Sequence, residues 1–353
     1  MLKIIIKLPK YLTMNNTKKV INHIRMFGLK GVYKKIVKKL NNNPIINEST
    51  CNDFFTYYKM NADYSEILKG KMIDIIIPVY NAYDDLKECY ESVLKYTDLR
   101  THRLILINDK STDKKIYQLL DKIKEETKTE ENNIVVLENE ENLGFVQTVN
   151  VGMSYSNNDV ILLNSDTLVT KQWIEKLIIA AYSEDNIASV TPFSNNATIC
   201  SLPEFLKDNK LPQGFTVDKF AETVERISLI QYPNIPTAVG FCMYITRKSI
   251  DEIGLLNYKE FGKGYGEEND YSMRAFKKGY KNILCDNLFI YHKGGQSFSS
   301  EIKRQREIES VKKMNAIHPE YTELVEKFVN DNPLKYYHDT IKEIINMREK
   351  FVR

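Results

Sequence analysis

The sequence predicts an α/β fold with a parallel β-sheet, on three observations. Short apolar runs alternate with amphipathic helical stretches from Met72 to Leu163, the order expected of βαβ units. Polar side chains follow these apolar runs, at the point where an open parallel sheet binds its ligands. Hydrophobic residues make up 42% of the chain and charged residues 27%, which is an ordinary globular balance.

Four strands and three connecting helices are predicted in this stretch. The strands are Ile73–Ile77, Arg103–Ile107, Ile134–Leu137 and Val160–Leu163. The helices are Tyr83–Tyr96, Lys114–Lys128 and Val146–Tyr155. The first turn contains no GxGxxG sequence, so the usual dinucleotide-binding fingerprint is absent.

The second half of the chain is less regular. Residues 185–245 are mixed and rich in Asn, Pro and Ser, and they receive no assignment. A glycine-rich turn at Gly262–Gly266 precedes a predicted helix at Glu267–Gly279 and a predicted strand at Leu288–Tyr291. The chain beyond Ser300 is charged and helical in pattern. We therefore expect an arm at 1–47, a body at 72–300 and a helical extension at 301–353.

Length and composition exclude several classes of protein. The 353 residues correspond to about two domains, or to one large α/β domain with appendages. The composition excludes a wholly disordered or fibrous chain. Neither a membrane-spanning run nor the apolar core of a signal peptide is present, since Lys7 interrupts the run Ile4–Ile6. Five scattered cysteines without a CxxC pair argue against a zinc site or a disulfide framework and favour the cytoplasm.

The formal net charge of +3 conceals a basic N-terminal arm. Residues 1–47 hold eleven Lys and Arg residues and no acid, whereas the rest of the chain holds 39 basic and 47 acidic residues. Apolar residues in the arm recur at helical spacing, which predicts amphipathic helices. Two interpretations stay open: the apolar stripe packs on the body or on a second subunit, or the arm docks peripherally on the inner face of the plasma membrane.

Asp166 and His292 are candidate metal ligands. Asp166 follows the apolar strand Val160–Leu163, where a carboxylate can hold Mg²⁺ or Mn²⁺ against substrate phosphates. The structural alternative is that Asp166 caps the helix that begins near Lys171. His292 follows the predicted strand Leu288–Tyr291, and imidazole suits Mn²⁺ better than Mg²⁺.

Glu267, Glu268 and Asp270 open a helix behind the glycine-rich turn. Acids in a first helical turn favour the helix dipole, which is the structural interpretation. They also suit a general base held at a mobile rim. Arg274, four residues beyond Asp270, can pair with it and leave a glutamate free.

Taken together, the motifs of this chain resemble those of the family 2 glycosyltransferases, and most closely those of the rhamnosyltransferase-like, cell-surface polysaccharide branch. The resemblance extends from about Met72 to Ser300. It rests on IPVYN at 77–81, NDKSTD at 108–113, NLGF at 142–145, LLNSDTLV at 162–169, TPFSNNATICS at 191–201, GYGEENDYSMRA at 264–275 and YHKGGQSF at 291–298. It implies a GT-A fold, a Rossmann-like fold for nucleotide-diphospho-sugar transfer.

The resemblance also implies a donor site. Pro78, Tyr80 and Asp109 fall where the family binds the pyrimidine nucleoside, with Asp109 accepting from the base imide and Tyr80 lying against the ring. The other residues on the donor side are Asn81, Asn142, Gly144, Asn164 and Ser165. The donor would be a UDP- or dTDP-sugar.

The metal motif and the base follow from the same resemblance. Asp166 matches the last acid of the family's DxD motif, whose first position here is Asn164, and His292 matches a histidine that completes the site. Glu268 falls on the catalytic base, and Glu267 is the second choice. Trp173 matches an aromatic residue that we interpret as core.

These assignments imply a Mn²⁺- or Mg²⁺-dependent, inverting transfer to a glycan, lipid-linked or protein-linked hydroxyl. Two other functions stay open. A nucleotidyltransferase would share a Rossmann-like sheet and metal-binding acids, but residues 78–85 lack its glycine-rich signature. A non-catalytic scaffold of the same fold would lose Asp109, Asp166 or the glutamates, and all are present. No nucleic-acid partner is expected, because no aromatic-interleaved basic patch is found.

Overall fold

The computed structural model describes residues 63–127, 133–294 and 300–352, which belong to one unit, Asp63–Arg353. The predicted arm at 1–47 lies outside them. The strands are β1 Ile73–Val79, β2 Arg103–Asn108, β3 Ile134–Glu138, β4 Asp159–Leu163, β5 Thr167–Leu168, β6 Ile187–Phe193, β7 Asn234–Ile235, β8 Cys242–Ile245, β9 Lys281–Phe289 and β10 Tyr291–His292.

The helices, numbered along the described residues, flank the sheet and follow it. They are α1 Ser65–Leu68, α2 Tyr83–Tyr96, α3 Lys114–Thr127, α4 Phe145–Tyr155, α5 Trp173–Ala181, α6 Val217–Ile227, α7 Arg247–Ile253, α8 Tyr258–Phe261, α9 Glu267–Lys277, α10 Ser300–Ile317, α11 Tyr321–Asp331 and α12 Lys335–Val352. A short 3₁₀ helix lies at Thr198–Cys200.

Eight strands form the main sheet in the order β3-β2-β1-β4-β8-β6-β9-β7. The pairs β1–β2, β2–β3, β1–β4 and β6–β9 are parallel, whereas β8 runs antiparallel to both β4 and β6. Residues Ile75–Ile77 are fully buried because helices cover both faces of β1. The carboxyl ends of β1, β2 and β4 therefore meet at one edge of the sheet, which confirms the predicted α/β architecture.

Pro78 lies inside β1, although the sequence predicted that the strand ends before it. A proline has no N–H to give to a sheet and normally sits at an edge. The pairing of β1 with β4 stops at Ile76 opposite Leu162, so β1 has a partner only on the β2 side at Pro78. The proline thus fits because the strand is locally an edge strand.

The predicted elements before Leu163 are all present, with ends that differ by at most two residues. The unassigned stretch at 185–245 contains several elements that the sequence did not indicate, namely β6, β7, β8, α6 and the short 3₁₀ helix. β6 is buried along its whole length although it contains Ser189, Thr191 and Pro192. Its polar side chains have partners, since Ser189 Oγ donates to Asn282 Oδ1 at 2.7 Å.

The predicted strand Leu288–Tyr291 is wrong in its bounds. The structure shows a longer strand, β9, that starts at Lys281, and a separate two-residue strand, β10, that holds Tyr291 and His292. The sequence does not predict the full length of β9 because Asp286 interrupts its apolar pattern. Asp286 is fully buried and accepts hydrogen bonds from Ser228 Oγ at 3.0 Å and from Tyr337 Oη of α12 at 2.5 Å. The helical extension thus packs directly on the sheet.

Candidate active site

Asp109 organises the loops at the carboxyl end of β2. Its Oδ1 accepts hydrogen bonds from Asn139 Nδ2 at 2.9 Å and from the backbone N–H of Leu143 at 2.7 Å. Its Oδ2 accepts from Asn142 Nδ2 at 3.0 Å and from the backbone N–H of Gly144 at 2.9 Å. The side chain is 3% exposed. Asp109 therefore ties the NLGF segment to the end of β2.

These contacts limit what Asp109 can still bind. A carboxylate offers about four lone-pair positions, and protein donors occupy four here. A pyrimidine imide N–H, the partner that the resemblance implies, would have to take the place of one of them.

Asn81 connects the turn after β1 to the start of α3. Its Oδ1 accepts from the backbone N–H groups of Thr112 at 2.9 Å and Asp113 at 3.0 Å, and its own N–H donates to Ser111 Oγ at 3.0 Å. Its φ of +57° lies in the left-handed region, which asparagine tolerates. These bonds hold the loops in place, and the preceding Tyr80 is left 47% exposed beside them.

The glycine-rich turn packs on the NLGF loop. Lys263 Nζ donates to Asn142 Oδ1 at 2.6 Å and to the Asn142 carbonyl at 3.2 Å. A Cβ placed on Gly144, whose φ is +84°, would lie 2.7 Å from both Cβ and Cγ of Lys263. Only glycine fits at position 144, where the NLGF loop packs against Lys263. This contact brings the turn before Glu267 to the edge of the sheet that carries Asp109.

Asp166 and His292 meet through a small two-stranded ribbon. β5 and β10 are antiparallel and pair Thr167 with His292. The backbone N–H of Lys293 donates to the Asp166 carbonyl at 3.0 Å. His292 Nε2 thereby lies 3.3 Å from Asp166 Oδ1, so the structure brings the two predicted metal ligands together.

The His292 ring is fixed on several sides. Its Nδ1 lies 2.7 Å from the Asn196 carbonyl, which can only accept, so Nδ1 carries a proton. Phe241 stacks on the ring with centroids 5.3 Å apart and planes 18° apart. Asn195 clamps the His292 backbone, since its Oδ1 accepts from the His292 N–H at 2.8 Å and its Nδ2 donates to the carbonyl at 2.9 Å.

This geometry fits a cation between the two side chains. In the neutral ring Nε2 presents a lone pair, and it faces a carboxylate oxygen. Two acceptors that face each other at this distance need a proton or a metal ion between them. Neighbouring ligands about 2.1 Å from Mn²⁺ or Mg²⁺ lie about 3 Å apart, close to the observed separation.

The pKa values of Asp166 and His292 show that the two side chains attract each other. Burial raises the pKa of Asp166, but the hydrogen bond and the charge of His292 outweigh burial and place it below its usual range. Burial lowers the pKa of His292, and the hydrogen bond and the charge of Asp166 outweigh it and raise the pKa overall. Over the described residues, no cluster of three or more His, Cys, Asp or Glu side chains could hold an ion. Substrate phosphates and water would complete the coordination.

The structural alternative for Asp166 is not observed. The helix after it, α5, begins at Trp173, and its N-cap is Gln172 with a φ of +58° and no side-chain cap. Trp173 is fully buried, as predicted for a core residue, and its Nε1 donates to Thr97 Oγ1 at 3.0 Å. Asp166 is thus not part of the helix cap.

Asn164 and Ser165 lie half-buried in the turn between β4 and Asp166. The backbone N–H of Asn164 donates to the Phe241 carbonyl at 2.9 Å, and its carbonyl accepts from Thr167 Oγ1 at 2.7 Å. The backbone of Asn164 therefore shapes the turn that presents Asp166.

Glu267 and Glu268 begin α9, directly after Gly266 with a φ of +102°. Each has a buried Oε2 without a hydrogen-bond partner. Burial raises the pKa of both carboxyl groups, and the charge of Glu268 raises that of Glu267 further; backbone hydrogen bonds at the helix start oppose the shift only in part. Carboxyl groups with a buried, unpaired oxygen and a raised pKa are suited to accept a proton.

Asp270 pairs with Arg274, as the sequence predicted. Arg274 Nε donates to Asp270 Oδ2 at 2.7 Å, and His318 Nε2 lies 2.8 Å from Asp270 Oδ1. Both carboxylate oxygens are occupied, so Asp270 is a structural residue, and the free oxygens belong to the two glutamates.

Sequence reasoning missed several side chains that form polar contacts in this region. Among them are Asn139, Asn195, Lys263 and His318, which contact Asp109, His292, Asn142 and Asp270 respectively. Of these four, only Asn139, Asn195 and Lys263 carried a signal, because each lies in or beside a motif stretch. His318 lies beyond all of them.

Comparison with known proteins identifies a family. A family model described as "Glycosyl transferase family 2" matches residues 74–254, just over half of the chain. An uncharacterized glycosyltransferase of Haemophilus influenzae is 28% identical over 120 residues, which cover 34% of this chain and 35% of that protein. Glycosyltransferase GlyG of Streptococcus pneumoniae is 30% identical over 117 residues, which cover 33% of this chain and 37% of that protein. The chain thus matches about a third of the length of these curated relatives.

Solved structures share the fold. GalNAc-T7, crystallised with UDP, GalNAc and Mn²⁺, is 18% identical with a TM-score of 0.51, over 74% of this chain and 54% of that one. The mannosyltransferase PcManGT of Pyrobaculum calidifontis, in complex with GDP-Man and Mn²⁺, is 12% identical with a TM-score of 0.50, over 76% of this chain and 72% of that one. These likenesses confirm the predicted GT-A fold. Within the described part of the chain, no helix has the length and apolarity that crossing a membrane requires.

Proposed function

The chain belongs to glycosyl transferase family 2, and from this membership we propose that it moves a sugar from a UDP- or dTDP-sugar to an acceptor hydroxyl, with inversion and with a divalent ion. The acceptor is a glycan, a lipid-linked or a protein-linked hydroxyl in bacterial cell-surface polysaccharide or glycoconjugate synthesis, following the branch that the sequence resembles. The observation that carries the proposal is the Asp166–His292 pair, in which a carboxylate oxygen and a ring nitrogen lie 3.3 Å apart, a spacing that suits two ligands of one divalent ion.

Asp166 and His292 would hold Mn²⁺ or Mg²⁺. Such an ion, when bound, neutralises charge on the leaving nucleoside diphosphate. The contribution of the chain is to fix both ligands in advance: Asn196 sets the tautomer of His292, and the ribbon of β5 and β10 sets its distance from Asp166. The structures of the two fold neighbours contain Mn²⁺, so the fold accommodates this ion.

The donor base would bind between Tyr80 and the NLGF loop. The exposed ring of Tyr80 offers a face to a pyrimidine at the end of β1, next to Pro78. Asp109 would accept the imide N–H in exchange for one of its four present donors. Asn142 and Gly144 line the nucleotide side, and the turn of Asn164 and Ser165 leads to the phosphates.

Glu268 is the proposed base, with Glu267 as the second choice. It takes the proton of the acceptor hydroxyl while that oxygen attacks the anomeric carbon opposite the diphosphate. Its buried, unpaired Oε2 and raised pKa support this role. A single displacement needs one base and no nucleophile from the enzyme.

A donor screen tests this function. The full chain is incubated with UDP-, dTDP- and GDP-sugars and candidate acceptor glycans, and the released nucleoside diphosphate is measured with Mn²⁺, with Mg²⁺ and with EDTA. We expect release from a UDP- or dTDP-sugar that EDTA abolishes. Release from GDP-sugars alone would contradict the pyrimidine site, and full activity in EDTA would contradict the proposed metal dependence. No release from any donor would favour the non-catalytic scaffold.

We also propose that residues 1–47 hold the enzyme at an anionic membrane. The basis is the charge of the arm, since basic residues near such a surface contribute about 1 kcal/mol each. In liposome sedimentation the full chain should pellet with anionic vesicles and release in high salt, whereas a chain starting at Glu48 should stay in the supernatant. Equal behaviour would instead make the arm a packing or dimerisation element, which the oligomeric state of the two chains would show.

A further inference from the structure

The helix that carries the glutamates is held by a segment outside the family match. We name residues 300–331, which form α10 and α11, the C-terminal hairpin. The family model ends at residue 254. A Cβ on Gly266 would lie 2.2 Å from Ser310 Oγ, so the hairpin packs against the residue that precedes Glu267. Met314 joins Phe261 and Met273 in a buried cluster one turn further along.

His318 makes the central polar contact between the hairpin and α9. It is 3% exposed, and its Nδ1 lies 2.8 Å from Lys277 Nζ while its Nε2 lies 2.8 Å from Asp270 Oδ1. An ammonium group only donates, so Nδ1 accepts, and the neutral ring donates its Nε2–H to Asp270. The ring thus bridges two positions of α9 that lie two turns apart.

Asp270 and Lys277, the two residues that His318 bridges, lie on the same face of α9 as Glu267. Residues 267, 270, 274 and 277 follow the spacing of one helix face. Arg274 connects this face to the body, because its guanidinium also donates to the carbonyls of Ile253 and Leu255 at 2.9 Å each. Lys277 further pairs with Glu320 of the hairpin at 3.0 Å.

We propose that His318 is a positioning residue for the glutamate pair: it clamps α9 to the C-terminal hairpin and so keeps both carboxyl groups buried and aligned toward the acceptor hydroxyl. This role rests on the proposed function, in which one of these glutamates is the base. It gives the C-terminal extension a part in catalysis without contact with the substrate.

Several charged and titratable groups surround the pair. Tyr321 of α11 is adjacent to Glu268 and hydrogen-bonds with Thr237; burial and the negative charge of Glu268 raise its pKa. Asp270 forms an ion pair with Arg274 on the same helix. If the clamp loosens, water reaches the carboxyl groups, and their pKa values fall toward the ordinary glutamate value of 4.5.

The test replaces His318 in three ways. The amide of His318→Gln can take the place of Nε2 and keep the bond to Asp270, the amide of His318→Asn can take the place of Nδ1 and keep the bond to Lys277, and His318→Ala keeps neither. The matched control is His338→Gln in α12, because His338 is also 3% exposed but its Nε2 bonds to the Ser201 carbonyl at 3.1 Å instead of to α9.

Two readouts separate positioning from general stability. Carboxyl-¹³C NMR of glutamate-labelled protein follows the titration of Glu267 and Glu268 without any donor, with signals assigned through their Gln variants. Turnover and donor KM are measured against pH. We expect His318→Ala to lower the glutamate pKa values and to reduce kcat about 10²-fold, with donor KM within about twofold, because a small displacement of a base costs this much. His318→Gln should recover most of kcat.

Unchanged titration and kcat in His318→Ala, or the same changes in His338→Gln, would overturn the proposal. If His318→Ala does not fold, the comparison of Gln with Asn decides it, and equal kcat in these two variants would contradict a clamp through Asp270. If the wild-type chain releases no nucleoside diphosphate, the proposed function fails, and the NMR titration still decides whether His318 keeps the glutamates buried.

Discussion

Replacing Asp109 with asparagine tests whether this residue is primarily a structural tie. The carboxylate accepts four hydrogen bonds from the segment that follows β3, two at each oxygen. An amide of the same shape keeps one oxygen and turns an NH₂ group toward two donors. Asp109→Asn should therefore loosen the NLGF loop even without a nucleotide.

The size of the effect follows from these contacts. Two hydrogen bonds to a charged acceptor are lost, each worth about 1.5–3 kcal/mol, and two donors lose their acceptor. We expect a loss of roughly 3–5 kcal/mol in the free energy of unfolding. At about 2 °C per kcal/mol for a domain of this size, the melting temperature should fall by about 5–10 °C.

The assay is thermal unfolding followed by circular dichroism, with Glu138→Gln as the control. Glu138 is a neighbour at the end of β3, and its ion pair with Lys110 at 3.2 Å is solvent-exposed, so its loss should cost less than about 1 kcal/mol. Melting of Asp109→Asn within about 1 °C of the wild type would refute the structural role. Asp109 would then act on the ligand alone.

Three further predictions concern the site. Glu268→Gln should lose about 10²–10⁴-fold in turnover while it still binds nucleoside diphosphate, whereas a larger loss in Glu267→Gln would make Glu267 the base. Asp166→Asn should weaken the affinity for Mn²⁺ by about 10-fold or more, because a metal ligand is lost, and electron paramagnetic resonance of Mn²⁺ measures this affinity. Gly144→Ala should destabilise the fold by about 1–3 kcal/mol in urea unfolding, because its Cβ meets Lys263 at 2.7 Å, and Lys263→Gly should partly restore stability.

The half of the fold before Leu163 could be predicted because its strands are buried on both faces. Such strands appear as unbroken apolar runs, as in Ile73–Ile77. The strand β9 could not be predicted from periodicity, since Asp286 is buried in it. Its cost of burial is offset by hydroxyl donors such as Tyr337 Oη, which come from distant parts of the chain and leave no local pattern.

The candidate site divides in the same way. Asp166 and His292 could be named because each follows a strand, but their meeting depends on β5 and β10, which have two residues each and no sequence signal. The contact between His318 and Asp270 joins residues outside any shared motif. Sequence thus indicated the candidate site residues, whereas the side chains that hold them in position required the structure.

The buried glutamates should also make stability depend on pH in a predictable direction. Burial, and then the charge of Glu268, raises the pKa of Glu267 above the value of 4.5 that it has in an unfolded chain. Between that value and the folded pKa, the folded state keeps a proton that the unfolded state has released. The stabilising contribution of the protonated group is therefore complete below 4.5 and is lost as the pH rises through the folded pKa.

Glu267→Gln removes this dependence because an amide does not ionise. The free energy of unfolding of the variant, relative to the wild type, should therefore increase from about pH 4 to about pH 8, by about 1.4 kcal/mol for each unit by which burial raises the pKa. Urea unfolding across this range measures it, with Glu260→Gln, an exposed position in α8, as the control. A difference that stays constant would mean that folding leaves the pKa of Glu267 unchanged, and one that shrinks as the pH rises would mean that the folded protein stabilises Glu267 as an anion. Such a carboxylate would already be satisfied by the protein and would have no reason to accept a proton from an acceptor hydroxyl.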